Sequence, residues 1–87
     1  MFKIFVRHTL EDYSKWRPFF DEHSSVREKY GCTEAGVFAC VDHPNEILVE
    51  MIWENKERAM QFLQDPTLKA TMEKAGAIGI PIFSFSE

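Results

Sequence analysis

Eighty-seven residues, 45% of them apolar and 28% charged, are enough for one folded domain spanning 1–87 and argue against disorder. The formal net charge is −4 and basic residues never cluster beyond two neighbours, which opposes nucleic acid or an anionic membrane as a partner. No apolar run approaches the roughly 20 residues of a membrane span, and Lys3, Arg7 and His8 interrupt the amino terminus where a signal peptide needs its apolar core, so a cytoplasmic protein is expected.

Phe2–Leu10 alternates as a strand, with Phe2, Ile4, Val6, His8 and Leu10 on one side and Lys3, Phe5, Arg7 and Thr9 on the other. Asp12–Tyr30 follows as one long helix. Its stripe of Tyr13, Trp16, Phe19/Phe20, His23, Val26/Arg27 and Tyr30 recurs every three or four residues and must lie on a sheet. Asp12 is a suitable cap and Glu11→Lys15 a well-oriented helical pair. Pro18 conflicts with a regular helix, so a kink is expected there, or a regular part beginning near Trp16–Arg17. Gly31 is the natural stop.

Thr33–Val41 reads as the second strand and Glu46–Glu54 as the third, joined by the turn cluster Asp42-His43-Pro44-Asn45 into an antiparallel hairpin. Cys32 and Cys40 flank the second strand. Eight extended residues separate them by about 26 Å, whereas a disulfide needs Cα atoms within roughly 7 Å, so two free thiols are expected. Asn55 caps a short helix over Lys56–Leu63. Asp65-Pro66 starts another through Ala75, with Leu68, Met72 and Ala75 inward and Gly76 as the stop. Ala77–Pro81 is expected as a loop and Ile80–Ser86 as the fourth strand.

The order β-α-β-β-α-β predicts an α+β, ferredoxin-like domain with both helices on one face of an antiparallel sheet. The face with Ile4, Val6, Ile47, Val49 and Met51 is the more apolar and is assigned to the helices. The other still carries Phe5, Phe38, Leu48 and Ile52 among Lys3, Arg7 and Glu50, too apolar to stay bare. A homodimer through that face is therefore expected, closing an α/β barrel, with Arg7 and Glu50 as cross-strand or cross-subunit partners.

Three segments carry a resemblance. They are V-R-H-x-x-x-D-Y-x-x-W-x-x-x-F-D from Val6 to Asp21, W-E-N-x-E-x-A-x-x-F from Trp53, and D-P-x-L-K-x-x-M-x-x-A-G from Asp65. With the D-H-P-N turn they make the chain resemble the dimeric α/β-barrel superfamily, near its small antibiotic-biosynthesis-monooxygenase and cyclase-like members. The resemblance implies dimerisation and a small pocket between helices and sheet. The activities it brings are cofactor-free monooxygenation, cyclisation, isomerisation or haem-dependent chemistry, and some members have no known activity. One departure is plain: where those monooxygenases often carry a histidine in A-x-x-H-x-x-S-P, this chain has Phe62.

His8 and His23 fall on the inward sides of the first strand and first helix, where a histidine in an apolar pocket can move protons near neutrality. Arg27, one turn beyond His23, can bind a carboxylate or enolate. These three are the candidate catalytic residues, with Tyr13, Trp16, Trp53 and Phe62 as pocket walls. The bland reading makes both histidines hydrogen-bonded core residues and Arg27 a surface ion-pair partner. No metal site is expected, because His8, His23 and His43 lack ligand spacing, and no cofactor, because no nucleotide-binding glycine motif occurs. The expected function is a cofactor-independent enzyme acting on an apolar or aromatic small molecule. A non-catalytic ligand-binding or purely structural homodimeric domain is the alternative.

Overall fold

The computed structural model describes all residues, 1–87. Its elements are β1 (Phe2–Leu10), α1 (Tyr13–Glu22), α2 (Ser24–Lys29), β2 (Cys32–Ala39), β3 (Glu46–Trp53), α3 (Lys56–Leu63), α4 (Pro66–Lys74) and β4 (Ala77–Ser86). One antiparallel sheet has the order β2-β3-β1-β4. This is the expected ferredoxin-like α+β arrangement, with each helical crossover divided into two short helices. No helix is long and apolar enough to cross a membrane.

The two-residue period of β1 and β3 decides the layers. Phe2, Ile4, Val6, His8 and Leu10 of β1 and Ile47, Val49, Met51 and Trp53 of β3 are buried on one face. Trp16, Ala59, Phe62 and Ala75 of the helical layer close a single core over them. Paired registers such as Ile4↔Met51 and Val6↔Val49 place like-sized side chains directly opposite each other.

The long helix expected over Asp12–Tyr30 is instead two helices meeting at His23. The break is not at Pro18, which lies inside α1. Pro18 and Ser14 are both exposed, so water can satisfy the Ser14 carbonyl that proline leaves unbonded. At His23 the chain meets Ser24-Ser25, whose side chains compete for backbone bonds. The Arg27 guanidinium then reaches back to donate to the Phe20 carbonyl oxygen at 2.8 Å, stapling α2 to α1.

The carboxyl-terminal strand also differs. Ala77–Pro81 is strand rather than loop, and β4 runs unbroken from Ala77 to Ser86. Its pairing shifts between Arg7↔Ile82 and Thr9↔Ile78, so Gly79-Ile80-Pro81 bulge opposite His8. Gly79 has φ +72°, a left-handed conformation suited to glycine, and the bulge accommodates a proline that ladder pairing would reject. β2 ends earlier than expected, at Ala39, leaving Val41 in the exposed connection. Asn45 is more than a turn residue. Its carbonyl accepts from Leu10 N at 2.7 Å and its side chain accepts from Tyr13 N at 2.9 Å, tying the β2–β3 turn to the start of α1. Glu50 pairs with Lys3 at 3.8 Å rather than with Arg7, because sheet twist brings one diagonal neighbour closer than the other. Both cysteines are free.

Asp12, Asn55 and Asp65 each accept a backbone N–H of the helix they start. Asp65 does more: it also accepts from the Thr67 hydroxyl and from Tyr30 Oη at 2.6 Å, locking the start of α4 to the end of α2. The Thr67 and Tyr30 hydrogen bonds hold its carboxyl at about 2, below the usual 3.8. A carboxyl that titrates lower in the folded than in the unfolded chain adds stability above the unfolded value and loses it on acidification. Urea unfolding of the native chain should therefore show stability falling from pH 4 to 2, and Asp65→Asn should flatten that slope; an unchanged slope contradicts the lock. Ile4→Ala, at a fully buried central position, should cost about 2–5 kcal/mol in the same measurement.

Candidate functional site

Between the helical layer and the sheet lies a cavity of about 90 Å³, lined by 17 residues of which 13 are hydrophobic. Val6, Ile47, Val49 and Met51 form its floor, Trp16, Phe19, Phe20 and Phe62 its aromatic walls, and Leu63, Leu68, Met72 and Ala75 the side under α3 and α4. Phe83 of β4 completes it beside Val6, its register partner. The polar groups on this surface are His8, His23, Arg27 and Thr71. The structure thus brings all three candidate catalytic residues into one apolar cavity.

It does not bring all four candidate walls there. Trp16 and Phe62 line the cavity; Tyr13 and Trp53 do not. Tyr13 packs at the edge of the core beside Trp16, ring centroids 6.0 Å apart, and its hydroxyl accepts from Arg17 at 3.1 Å. Trp53 is fully buried beyond Phe62, ring centroids 4.9 Å apart, at the far end of the core. Helical and strand periodicity put both residues on the inward side but do not say how far along the element the cavity extends. Thr71 and Phe83 were missed. Thr71 lies three residues after inward Leu68, and Phe83 alternates with Ile82 and Ser84, so each had a positional signal.

Arg27 is 6% exposed and lies over the Phe20 ring, its guanidinium carbon 3.8 Å from the centroid. Trp16 stacks on the same ring at 4.9 Å. The result is a continuous Trp16–Phe20–Arg27 stack along one wall, in which the aromatic faces attract the cation. The ion pairs of the chain are Lys3–Glu50, Lys15–Glu11 and Arg17–Asp21, so Arg27 has no carboxylate of its own. Burial is the main influence pulling its pKa down.

His23 stands at the α1–α2 junction with its ring 5.8 Å from Phe62. Its Nε2 is buried and makes no hydrogen bond. Burial pushes this imidazole below its usual 6.5, the Arg27 charge pushes the same way, and Asp65 opposes both. It is therefore held neutral at pH 7, the form that accepts a proton. His8 is buried in β1 and its Nε2 lies 3.4 Å from the Gly79 carbonyl. A carbonyl only accepts, so Nε2 carries the proton and Nδ1 is the basic nitrogen of the neutral ring. The β4 bulge thus selects the tautomer of His8. No group of three or more His, Cys, Asp or Glu side chains is gathered closely enough to hold a metal ion.

No family model matches the chain, and no curated protein matches it by sequence. Solved structures match its fold over nearly its full length. A candidate antibiotic biosynthesis monooxygenase from Bordetella bronchiseptica superposes with a TM-score of 0.82 at 10% identity, covering 99% of this chain and 94% of its own. SnoaB, a cofactor-independent oxygenase from Streptomyces nogalater, gives 0.80 at 11% identity, covering 99% and 90%. A further candidate antibiotic biosynthesis monooxygenase, from Deinococcus radiodurans, gives 0.73 at 13%, covering 100% and 91%. The chain therefore has the ferredoxin-like fold of the antibiotic-biosynthesis-monooxygenase structures, as its sequence resemblance implied.

Proposed function

We propose that this protein is a cofactor-independent, monooxygenase- or cyclase-like enzyme acting on an apolar or aromatic small molecule in the cavity between helices and sheet. The observation that carries the reading is the composition of that cavity: a half-open apolar pocket whose few polar groups are two imidazoles, a hydroxyl and a buried guanidinium. The fold it shares with a cofactor-independent oxygenase supports the same reading. In this scheme neutral His23 removes a proton from an activated C–H of the substrate, and Arg27 polarises the oxygen onto which the charge moves. His8 is the second proton-transfer group. Returning the proton to a different carbon gives isomerisation, and attack of the carbanion within the molecule gives cyclisation. In an oxygenase the carbanion instead meets dioxygen as co-substrate. Phe62, at the place of the expected helix histidine, is a wall beside the His23 ring.

Exchange of the α-protons of cyclohexanone with D2O, followed by NMR, tests the first step directly. The protein should accelerate exchange, and His23→Ala should lower the rate about 10²–10⁴-fold. The base must be neutral and its pKa lies below 6.5, so the rate should rise with pH to a plateau, with a midpoint below 6.5. Retained acceleration in His23→Ala removes His23 from the chemistry. Binding without any acceleration favours the non-catalytic ligand-binding reading.

The active form in this reading is a homodimer joined through the outer sheet face. That face presents Phe38 at 57% and Ile82 at 63% exposure, with Leu48 and Ile78 partly exposed, an apolar surface larger than monomers usually leave wet. Sedimentation equilibrium at micromolar concentration should give twice the chain mass, and Leu48→Glu, which leaves the helix-side core untouched, should give monomer. A monomeric native chain rejects the dimer.

A further inference from the structure

The cavity holds a charge the protein itself does not neutralise. Arg27 is 6% exposed, yet no acidic side chain lies within ion-pair distance. Asp21, the carboxylate whose charge acts most on Arg27, is engaged by Arg17 at 3.0 Å. Of the five N–H donors on the guanidinium, one hydrogen bond to the Phe20 carbonyl is made. Burying a charge without a counter-ion is costly, and a cation so placed at a half-open apolar pocket is suited to an anion that arrives from outside. Of the two buried polar side-chain atoms without a hydrogen bond, His23 Nε2 belongs to the same cavity wall and Trp53 Nε1 does not.

Two features narrow the anion. A volume of about 90 Å³ corresponds to roughly six water positions, the room of one six-membered ring and little more. Its aliphatic floor and aromatic walls suit an apolar ring. The planar guanidinium fork matches two oxygens in one plane, the geometry of a carboxylate, whereas a neutral carbonyl leaves the charge uncompensated. We infer that the resting ligand of this cavity is a small cyclic monocarboxylate of benzoate size, its ring against the sheet floor and its carboxylate on Arg27. The inference rests on reading the cavity as a small-molecule site. It makes the negative charge a property of the bound molecule from the start, not only of an intermediate formed during reaction. Arg27 then selects among substrates as well as polarising an oxygen.

Benzoate and its neutral isostere benzamide test this on the full-length native chain, by titration at pH 7 followed through ¹H–¹⁵N NMR shifts. Benzoate should saturate shifts at His23, Arg27 and Thr71 and bind roughly 10- to 100-fold more tightly than benzamide, the range of a charge-assisted hydrogen bond. Arg27→Met, of similar length without charge, should abolish that preference. Equal binding of the two by the native chain overturns the inference and leaves the apolar cavity standing as a site. Benzoate shifts confined to other residues, or no saturable binding of benzoate, also overturn it. The benzoate–benzamide comparison needs no variant, so it stands if Arg27→Met fails to fold. Arg27-dependent benzoate binding together with no acceleration of cyclohexanone exchange supports the anion site and rejects the enzyme.

Discussion

The short hydrogen bond from the Arg27 guanidinium to the Phe20 carbonyl is the constraint on which the site depends. It spans the junction between α1 and α2, fixing how one short helix follows the other. A continuous helix over the same residues would run straight past the sheet. Dividing it at His23 places the His23 ring against Phe62 and folds Arg27 beneath the helical layer onto Phe20. The isolated six-residue α2 has little helical stability of its own. Tertiary contacts must hold it, and Arg27 at one end and the Tyr30–Asp65 bond at the other do so.

The same contacts tie the two helical crossovers together. Asp65 caps α4 and accepts from Tyr30, and Arg58 of α3 donates to the Lys29 carbonyl at 2.6 Å. The helical roof is therefore one cross-linked layer over the sheet. On the α1–α2 side of the cavity large rings make the wall. Trp16 and Phe20 stack on each other and Phe20 on Arg27, while Phe62 packs on Trp53 and Tyr30, so they do not collapse inward.

Two polar features of the sheet side complete the arrangement. The β4 bulge turns the Gly79 carbonyl toward His8, which sets the imidazole tautomer from the opposite edge of the cavity. An irregularity in an edge strand thereby acts on a buried side chain of a central one, as bulges beside functional sites often do. The two imidazoles thus differ in kind. His8 is anchored by a hydrogen bond, whereas His23 Nε2 is buried without one.

The alternation of Phe2–Leu10 and Glu46–Glu54 by itself determined the sheet, its buried face and the βαββαβ order. A two-residue period leaves only one way to bury those side chains. The caps at Asp12, Asn55 and Asp65 and the stops at Gly31 and Gly76 were legible because their causes are local. So was the meeting of His8, His23 and Arg27 on one inward surface. Only the tertiary structure decided that the first helix breaks at His23 and not Pro18, since water can satisfy the carbonyl that the exposed Pro18 leaves unbonded, while the Arg27 staple onto Phe20 holds the bend at His23. Only it decided that Ala77–Pro81 pairs as a bulged strand, because β1 supplies the partner. Tyr13 and Trp53 shared the inward periodicity and still fell outside the cavity. Periodicity fixes the face a side chain takes, and packing along the element fixes whether that face meets another ring or an open space.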